Sequence, residues 1–289
     1  AVYLAVSLVM GGFTIQLDPV LFGAVAAGTL LVIGGGTAYQ IAALSGGGHT
    51  VADLLGGRLV PTNSSDPVER RLLNVVEEMA IASGTPVPPV YLLDDEASIN
   101  AFAAGSQPGD AVIGVTRGTV TYLSRDELQG VIGHEFSHIL NGDMRLNIRL
   151  MGLLQGILVI AILGRILMQV RSSNSKNGGG VVLLGVALFL IGWIGVFFGR
   201  LIKSAVSRQR EYLADASAVQ FTRNPMGIAN ALKKIGAASA GSKIGNVHAE
   251  EASHLFFGNG VNSYVALLST HPPLEERIKI LDPTFDGRF

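Results

Sequence analysis

Two histidines four residues apart, with a glutamate beside the first, make up the segment His134-Glu135-Phe136-Ser137-His138. On an α-helix, residues at i and i+4 share one face, about 5–6 Å apart. Both imidazoles can then reach a single Zn2+ ion, with Glu135 placed to take a proton from an attacking water. The spacing carries this meaning only on a helix, and the flanking residues supply one. Ser124 can cap its start, Glu127 completes a capping box, and Asn141-Gly142 can close its end. Chance alone would give H-E-x-x-H in a chain of this length about once in a hundred. Apart from the motif's own residues, nothing charged occurs from Leu128 to Leu140. Polar groups inside such an apolar run are costly unless something binds them.

A catalytic zinc site commonly has three protein ligands and keeps one position open. Position 141 is Asn and position 144 is Met, so the pattern H-E-x-x-H-x-x-G-x-x-H fails and the third ligand lies elsewhere. The chain has no cysteine, which excludes disulfides and thiolate ligands. Glu211 is the best candidate, in the helical stretch 207–215. Glu211 and Asp215 are four apart and face one way; one can bind the metal while the other accepts the free N–H of a ligating histidine. Taken alone, Glu211 could equally pair with Arg208 on a solvated face. Beside an H-E-x-x-H motif that lacks a ligand, the metal reading wins.

Composition sets these residues in a membrane protein. Of 289 residues 48% are hydrophobic and only 15% charged, with mean hydropathy +0.43, too apolar for an ordinary soluble domain. A net charge of −1 gives no footprint for nucleic acid. Residues 20–44 carry no charge and, at 1.5 Å per residue, exceed a ~30 Å hydrocarbon core. Residues 181–199 are likewise uncharged, and 150–170 contain only Arg165, near one end. Residues 1–15 are apolar but short and read as a clipped first span. About four spans in two hairpins follow, with turns at 14–19 and 171–180. The expected organisation is an N-terminal hairpin over 1–44, a catalytic domain over 45–149 and 200–289, and a second hairpin over 150–199 inserted into it. Arg58, Arg145, Arg149, Arg200, Lys203, Arg208 and Arg210 outnumber Arg171 and Lys176 across the membrane, which puts the domain in the cytoplasm.

Within the domain, periodicity predicts helices over 67–83, 203–221, 226–236 and 274–280, and strands over 90–93, 99–103 and 111–116. Gly46-Gly47-Gly48 reads as a flexible exit from the membrane. Mostly helical with a small sheet, the chain is of the α+β class.

The blocks INAFAAG (99–105), HEFSHILNGD (134–143), SRQREYLADA (207–216) and THPPLEERI (270–278) occur in an order that resembles the membrane zinc metallopeptidases that include HtpX heat-shock proteases and CAAX prenyl endopeptidases. The length and span layout look closer to HtpX. The resemblance implies a gluzincin fold, one Zn2+ held by His134, His138 and Glu211, and Glu135 as general base. It implies Asp215 as the carboxylate behind a ligand, His271 as the group that stabilises the oxyanion, and Asn100 as a holder of substrate backbone on an edge strand. It further implies peptide or protein substrates, most naturally membrane proteins met at the lipid bilayer of a bacterial inner membrane. Residues 241–260 match no block. His271 could instead cap the helix that follows Thr-His-Pro-Pro, and Arg277 could pair either with a site carboxylate or, on the surface, with Glu276 or Asp282. His49, His248 and His254 read as structural or solvated.

The implied reaction is peptide-bond hydrolysis in membrane-protein quality control. Its rivals are a prenyl-protein processing protease, a silent scaffold that keeps the zinc fold, and a channel. The channel is disfavoured because the spans carry only Arg165.

Overall fold

A computed structural model describes residues 2–3, 19–43, 46–169, 178–238, 242–245, 256–258 and 271–289. The chain divides into two units, one of Ala1–Leu44 with Ile148–Ile202 and one of Ser45–Asn147 with Lys203–Phe289. The expected first span, 1–15, lies outside the described residues apart from 2–3, as do 14–18 of the turn expected at 14–19 and 171–177 of the turn expected at 171–180; Pro19 and residues 178–180 are helical instead.

The first unit is helical. Its helix α1 is Pro19–Ala43. Three helices among the described residues are long and apolar enough to cross a membrane, over Pro19–Ala42, Asp143–Gln169 and Gly180–Thr222. Leu30, Leu31, Trp193, Phe197 and Phe198 stand exposed along them, as side chains facing lipid would. Close helix approach is built on small residues. A Cβ at Gly36 would come within 3.0 Å of the Gly156 backbone, and one at Gly164 within 2.4 Å of the Phe189 amide. The triple glycine of α1 thus includes a packing contact.

The second unit opens with α2, Gly47–Leu54, where the sequence suggested a flexible exit. Gly48 accounts for the difference: a Cβ there would meet the Ala104 carbonyl oxygen at 2.4 Å, so the glycines dock this helix on the sheet. Strand β1 (Arg58–Leu59) and helix α3 (Pro67–Ser83) follow. Then come β2 (Val90–Leu93), β3 (Ala101–Ala104) and β4 (Val112–Thr116). The sheet order is β1-β2-β4-β3, with β2 parallel to β4 and β3 antiparallel to it at the edge. All three longer strands are buried on both faces. Val90, Leu92, Ala101, Ala103, Ile113 and Val115 face the helical core, while Tyr91, Leu93, Phe102, Ala104 and Val112 face α2 and Phe256. That is the two-residue alternation of a pleated strand.

A short helix α4 (Arg117–Tyr122) leads into α5 (Arg125–Asn141), which carries the H-E-x-x-H motif. The capping box forms: Ser124 accepts from the Glu127 amide and Glu127 accepts from the Ser124 amide. Gly142 ends the helix in the left-handed region at φ 69°. Helix α6 (Asp143–Gln169) starts at once. Helix α7 runs without a break over Gly178–Thr222, where the sequence suggested a span and a separate helix. No Gly or Pro interrupts residues 200–222, so nothing breaks the ladder. Helices α8 (Pro225–Ala237) and α9 (Leu274–Leu281) complete the unit.

Helices α3 and α8 flank α5 in a core built around Leu128, Val131, Ile132 and Phe136. The contact with α8 depends on Gly130, where a Cβ would lie 2.6 Å from the Ile228 nitrogen, backbone that cannot give way. Gly130→Ala should therefore destabilise the domain by about 1–3 kcal/mol despite its better helix propensity. Denaturant unfolding in detergent measures this; a gain in stability would contradict the packing.

Candidate metal centre

The buried face of α5 presents His134 and Glu135, both fully buried, while His138 one turn on is partly exposed. The Nε2 atoms of His134 and His138 lie 3.1 Å apart. Glu211, on the lower part of α7, brings Oε2 to 3.5 Å from His134 Nε2 and Oε1 to 3.5 Å from His138 Nε2. These donor atoms form a cluster able to hold a metal ion. Three atoms bound to one tetrahedral ion at ~2.0–2.1 Å would be about 3.3 Å apart, close to the spacing found. Glu211 is 4% exposed, so the solvated pairing with Arg208 does not occur.

Each histidine is held from behind. Asp215, one turn beyond Glu211, places Oδ1 2.8 Å from His134 Nδ1. Arg277 of α9 is fully buried and grips Asp215 with two bonds, Nε to Oδ2 at 2.8 Å and Nη2 to Oδ1 at 2.7 Å. Of the two pairings the sequence left open for Arg277, the site carboxylate is realised. Glu276 bonds Tyr212 and Asp282 bonds Lys233 instead. Arg277 also donates to the Phe257 carbonyl at 3.1 Å and stacks over that ring at 5.0 Å. The same Phe257 ring meets His134 edge-on at 4.8 Å. On the other side, His138 Nδ1 lies 2.8 Å from Asp143 Oδ2, and Asp143 pairs in turn with Arg210. His271 stands with Nδ1 2.9 Å from Glu211 Oε2, so it belongs to the cluster rather than to a helix cap alone.

Asp143 and Phe257 join the cluster through contacts that the sequence motifs do not include. Asp143 was visible as the acid five residues past His138, directly after the helix-ending glycine. Phe257 lies in the stretch that matched no block and offered no signal. Asn100 is the reverse case. Its side chain is fully buried and saturated: Nδ2 donates to the Ser242 and Gly258 carbonyls at 2.7 and 3.4 Å, and Oδ1 accepts from the Ala101 and Gly258 amides at 3.0 and 3.1 Å. An amide with all four positions used has nothing left for substrate; it ties residues 242 and 258 to β3. His49 bonds the Tyr91 hydroxyl at 2.7 Å; His248 and His254 lie outside the described residues.

Charge argues for a cation. Glu135, Asp143, Glu211 and Asp215 are all buried, and ionised they outnumber the guanidiniums of Arg210 and Arg277 by two. Among the described residues no side chain bonds either oxygen of Glu135; the backbone of Ala103 on β3 lies against it. Burial pushes the Glu135 carboxyl above its ordinary range, and the two imidazoles pull the other way. Burial works against a charge on His134, but its bond to Asp215 and the Glu211 carboxylate more than offset this and raise its pKa to about 9. A divalent cation would balance the cluster and displace that proton.

Two outcomes follow. Arg277→Met leaves the buried Asp215 carboxylate with His134 as its remaining charged partner and should cost about 3–5 kcal/mol, read as a fall in the denaturation midpoint; a change under about 1 kcal/mol would show Asp215 satisfied without it. Metal affinity should rise with pH, because His134 must lose a proton it holds up to about 9. For one displaced proton the gain is up to roughly tenfold per pH unit below that value. Chelator competition between about pH 6 and 8 tests this, and a flat profile would contradict it.

The model of peptidase family M48 matches residues 67–284. The chain is 41% identical over 223 residues to a protein named Protease HtpX homolog of Dictyoglomus turgidum, covering 76% of this chain and 70% of that protein. It is 39% identical over 228 residues to the homologue of Thermoanaerobacter pseudethanolicus, covering 77% and 74%, and 33% identical over 261 residues to that of Leuconostoc citreum, covering 88% and 84%. The crystal structure of S. mikatae Ste24p shares the fold with a TM-score of 0.54 at 19% identity, over 97% of this chain and 64%, under two thirds, of that one. With its apolar helices and its cluster of two histidines and a glutamate, the chain belongs to peptidase family M48 and is a membrane metallopeptidase.

Proposed function

We propose that the protein is a zinc-dependent endopeptidase that cleaves membrane proteins, with its catalytic domain on the cytoplasmic face of a bacterial inner membrane. The observation that carries this is the convergence of His134 Nε2, His138 Nε2 and the Glu211 carboxylate within 3.1–3.5 Å of one another, beside a buried Glu135 that no side chain bonds among the described residues. Two imidazoles and one carboxylate, with no sulfur, suit zinc and leave a position open. When bound, zinc supplies a Lewis acid that acidifies water and polarises a carbonyl.

The remaining chemistry belongs to the chain. Glu135 takes the proton from the attacking water and returns it to the leaving amine, a transfer favoured by a carboxyl whose pKa burial has raised. His271 donates to the oxygen on which charge develops, from its place against Glu211. Substrate lies extended along the edge strand β3. The Ala101 carbonyl is already taken by the Phe257 amide at 2.8 Å. Ala103, two residues on and facing the same way, is where pairing with substrate backbone begins. Ala103, Met144, Leu146 and Val206, together with the polar Asp143, Asn147, Ser207 and Arg210, line a small cleft that also includes His138 and Glu211. Backbone pairing reads shape more than sequence, which suits the quality control of misfolded membrane proteins.

Orientation rests on basic residues. Arg58 pairs with Glu69 and Asp94, and Arg210 with Asp143, so these two serve the domain fold. The other five on that side still outnumber Arg171 and Lys176.

Glu135→Gln should lower the turnover of a generic unfolded protein substrate by roughly 10²–10⁴-fold while about one zinc per chain stays bound. Elemental analysis and single-turnover cleavage in detergent read both. Turnover surviving in the variant would remove Glu135 as the base. Cleavage confined to a prenylated C-terminal peptide would move the substrate class to prenyl-protein processing.

A further inference from the structure

We infer that Asp143 is a positioning residue for His138 and that Arg210 holds it in that role. The inference rests on His134, His138 and Glu211 binding the ion, and goes beyond that reading by adding the support of the ligand least protected by burial. His134 is fully buried, whereas the His138 side chain is 15% exposed. Water can compete for the His138 ring, so its orientation needs a fixed partner. Asp143 supplies one: Oδ2 lies 2.8 Å from Nδ1. A proton on Nδ1, donated to that carboxylate, leaves the lone pair on Nε2. Nε2 is the atom that faces His134 Nε2 at 3.1 Å and Glu211 Oε1 at 3.5 Å. The bond therefore selects the tautomer that can bind metal and aims it.

Asp143 is itself held. It is 4% exposed, and its second oxygen pairs with the Arg210 guanidinium. Arg210 also donates to the Asn141 carbonyl at 3.0 Å, in the last turn of the helix that carries His138. Arg210 precedes Glu211 on α7. The ligand helix, the start of α6 and the Glu211 segment thus share one carboxylate and one guanidinium. The arrangement repeats, from different elements, the chain behind His134, where Asp215 bonds the ring and Arg277 bonds Asp215. Helix capping by Asp143 at the start of α6 would need neither contact.

The full-length protein in detergent micelles separates these roles. Wild type, Asp143→Asn, Arg210→Gln and the double variant are compared for Zn2+ affinity by chelator competition, for the visible spectrum of bound Co2+, and for the metal-free unfolding midpoint. Asparagine keeps the size of Asp143 and an oxygen able to cap the helix, but loses the charge. Positioning predicts Zn2+ affinity lowered roughly 10–100-fold in Asp143→Asn, an altered Co2+ spectrum and an unchanged metal-free midpoint. Arg210→Gln should lower Zn2+ affinity in the same direction while also lowering the metal-free midpoint, because it leaves the buried Asp143 charge unmatched, and the double variant should bind no more weakly than Asp143→Asn within about twofold, as expected for groups acting as one unit. Affinity and spectrum unchanged in Asp143→Asn would overturn the inference while leaving the ligand set intact. A lowered midpoint with unchanged affinity would assign Asp143 to capping and overturn it too. A wild-type protein that binds neither Zn2+ nor Co2+ would overturn the ligand set, and this inference with it.

Discussion

Charge taken out of water must be matched, and that requirement organises the catalytic unit. Four carboxylates, from Glu135, Asp143, Glu211 and Asp215, sit in or against an apolar core with the fully buried Arg277. An unmatched ion at such depth costs several kcal/mol. The protein answers with two guanidiniums behind the histidines, and a divalent cation held by His134, His138 and Glu211 would balance the remaining charge. The same carboxylates would thereby direct an ion to that cluster.

The helices are arranged to keep those partners in register. The α5 helix supplies both imidazoles from one face and Glu135 from the position beside His134, locked by its capping box and by Gly130 against α8. The α7 helix delivers Glu211 and Asp215 one turn apart, and α9 delivers Arg277. Phe257 joins them: its carbonyl accepts from Arg277, its amide bonds the Ala101 carbonyl, and its ring touches His134. The edge of β3 is therefore positioned by the same residue that packs against a metal-ligand candidate. This couples the strand proposed to receive substrate with the atoms proposed to cut it.

Much of this was legible in the sequence because it depends on local spacing. The capping box at Ser124 and Glu127, the i to i+4 pairs His134/His138 and Glu211/Asp215, and the uncharged runs each carry their meaning within a few residues. What escaped depends on contacts between distant segments. Gly48 reads as a flexible glycine in the sequence, yet the Ala104 carbonyl lies against it. Asn100 reads as available, yet residues 242 and 258 take up its amide. Phe257 has no periodicity to mark it, and its role comes wholly from what surrounds it. Residues 203–221 were recognised as helical, but not as the continuation of a helix beginning at Gly178, because the change from apolar to charged composition at Arg200 looks like a boundary and is not one in the backbone.

The chemistry stands or falls on the third ligand, since two histidines on one helix could bind an ion weakly without catalysis. X-ray absorption at the zinc edge of the loaded protein, compared with Glu211→Ala, tests this most directly. The expected first coordination shell has two imidazole nitrogens and a carboxylate oxygen in the native protein, with the carboxylate contribution lost in the variant. A shell identical in both, or one that contains a single imidazole, would contradict the assignment.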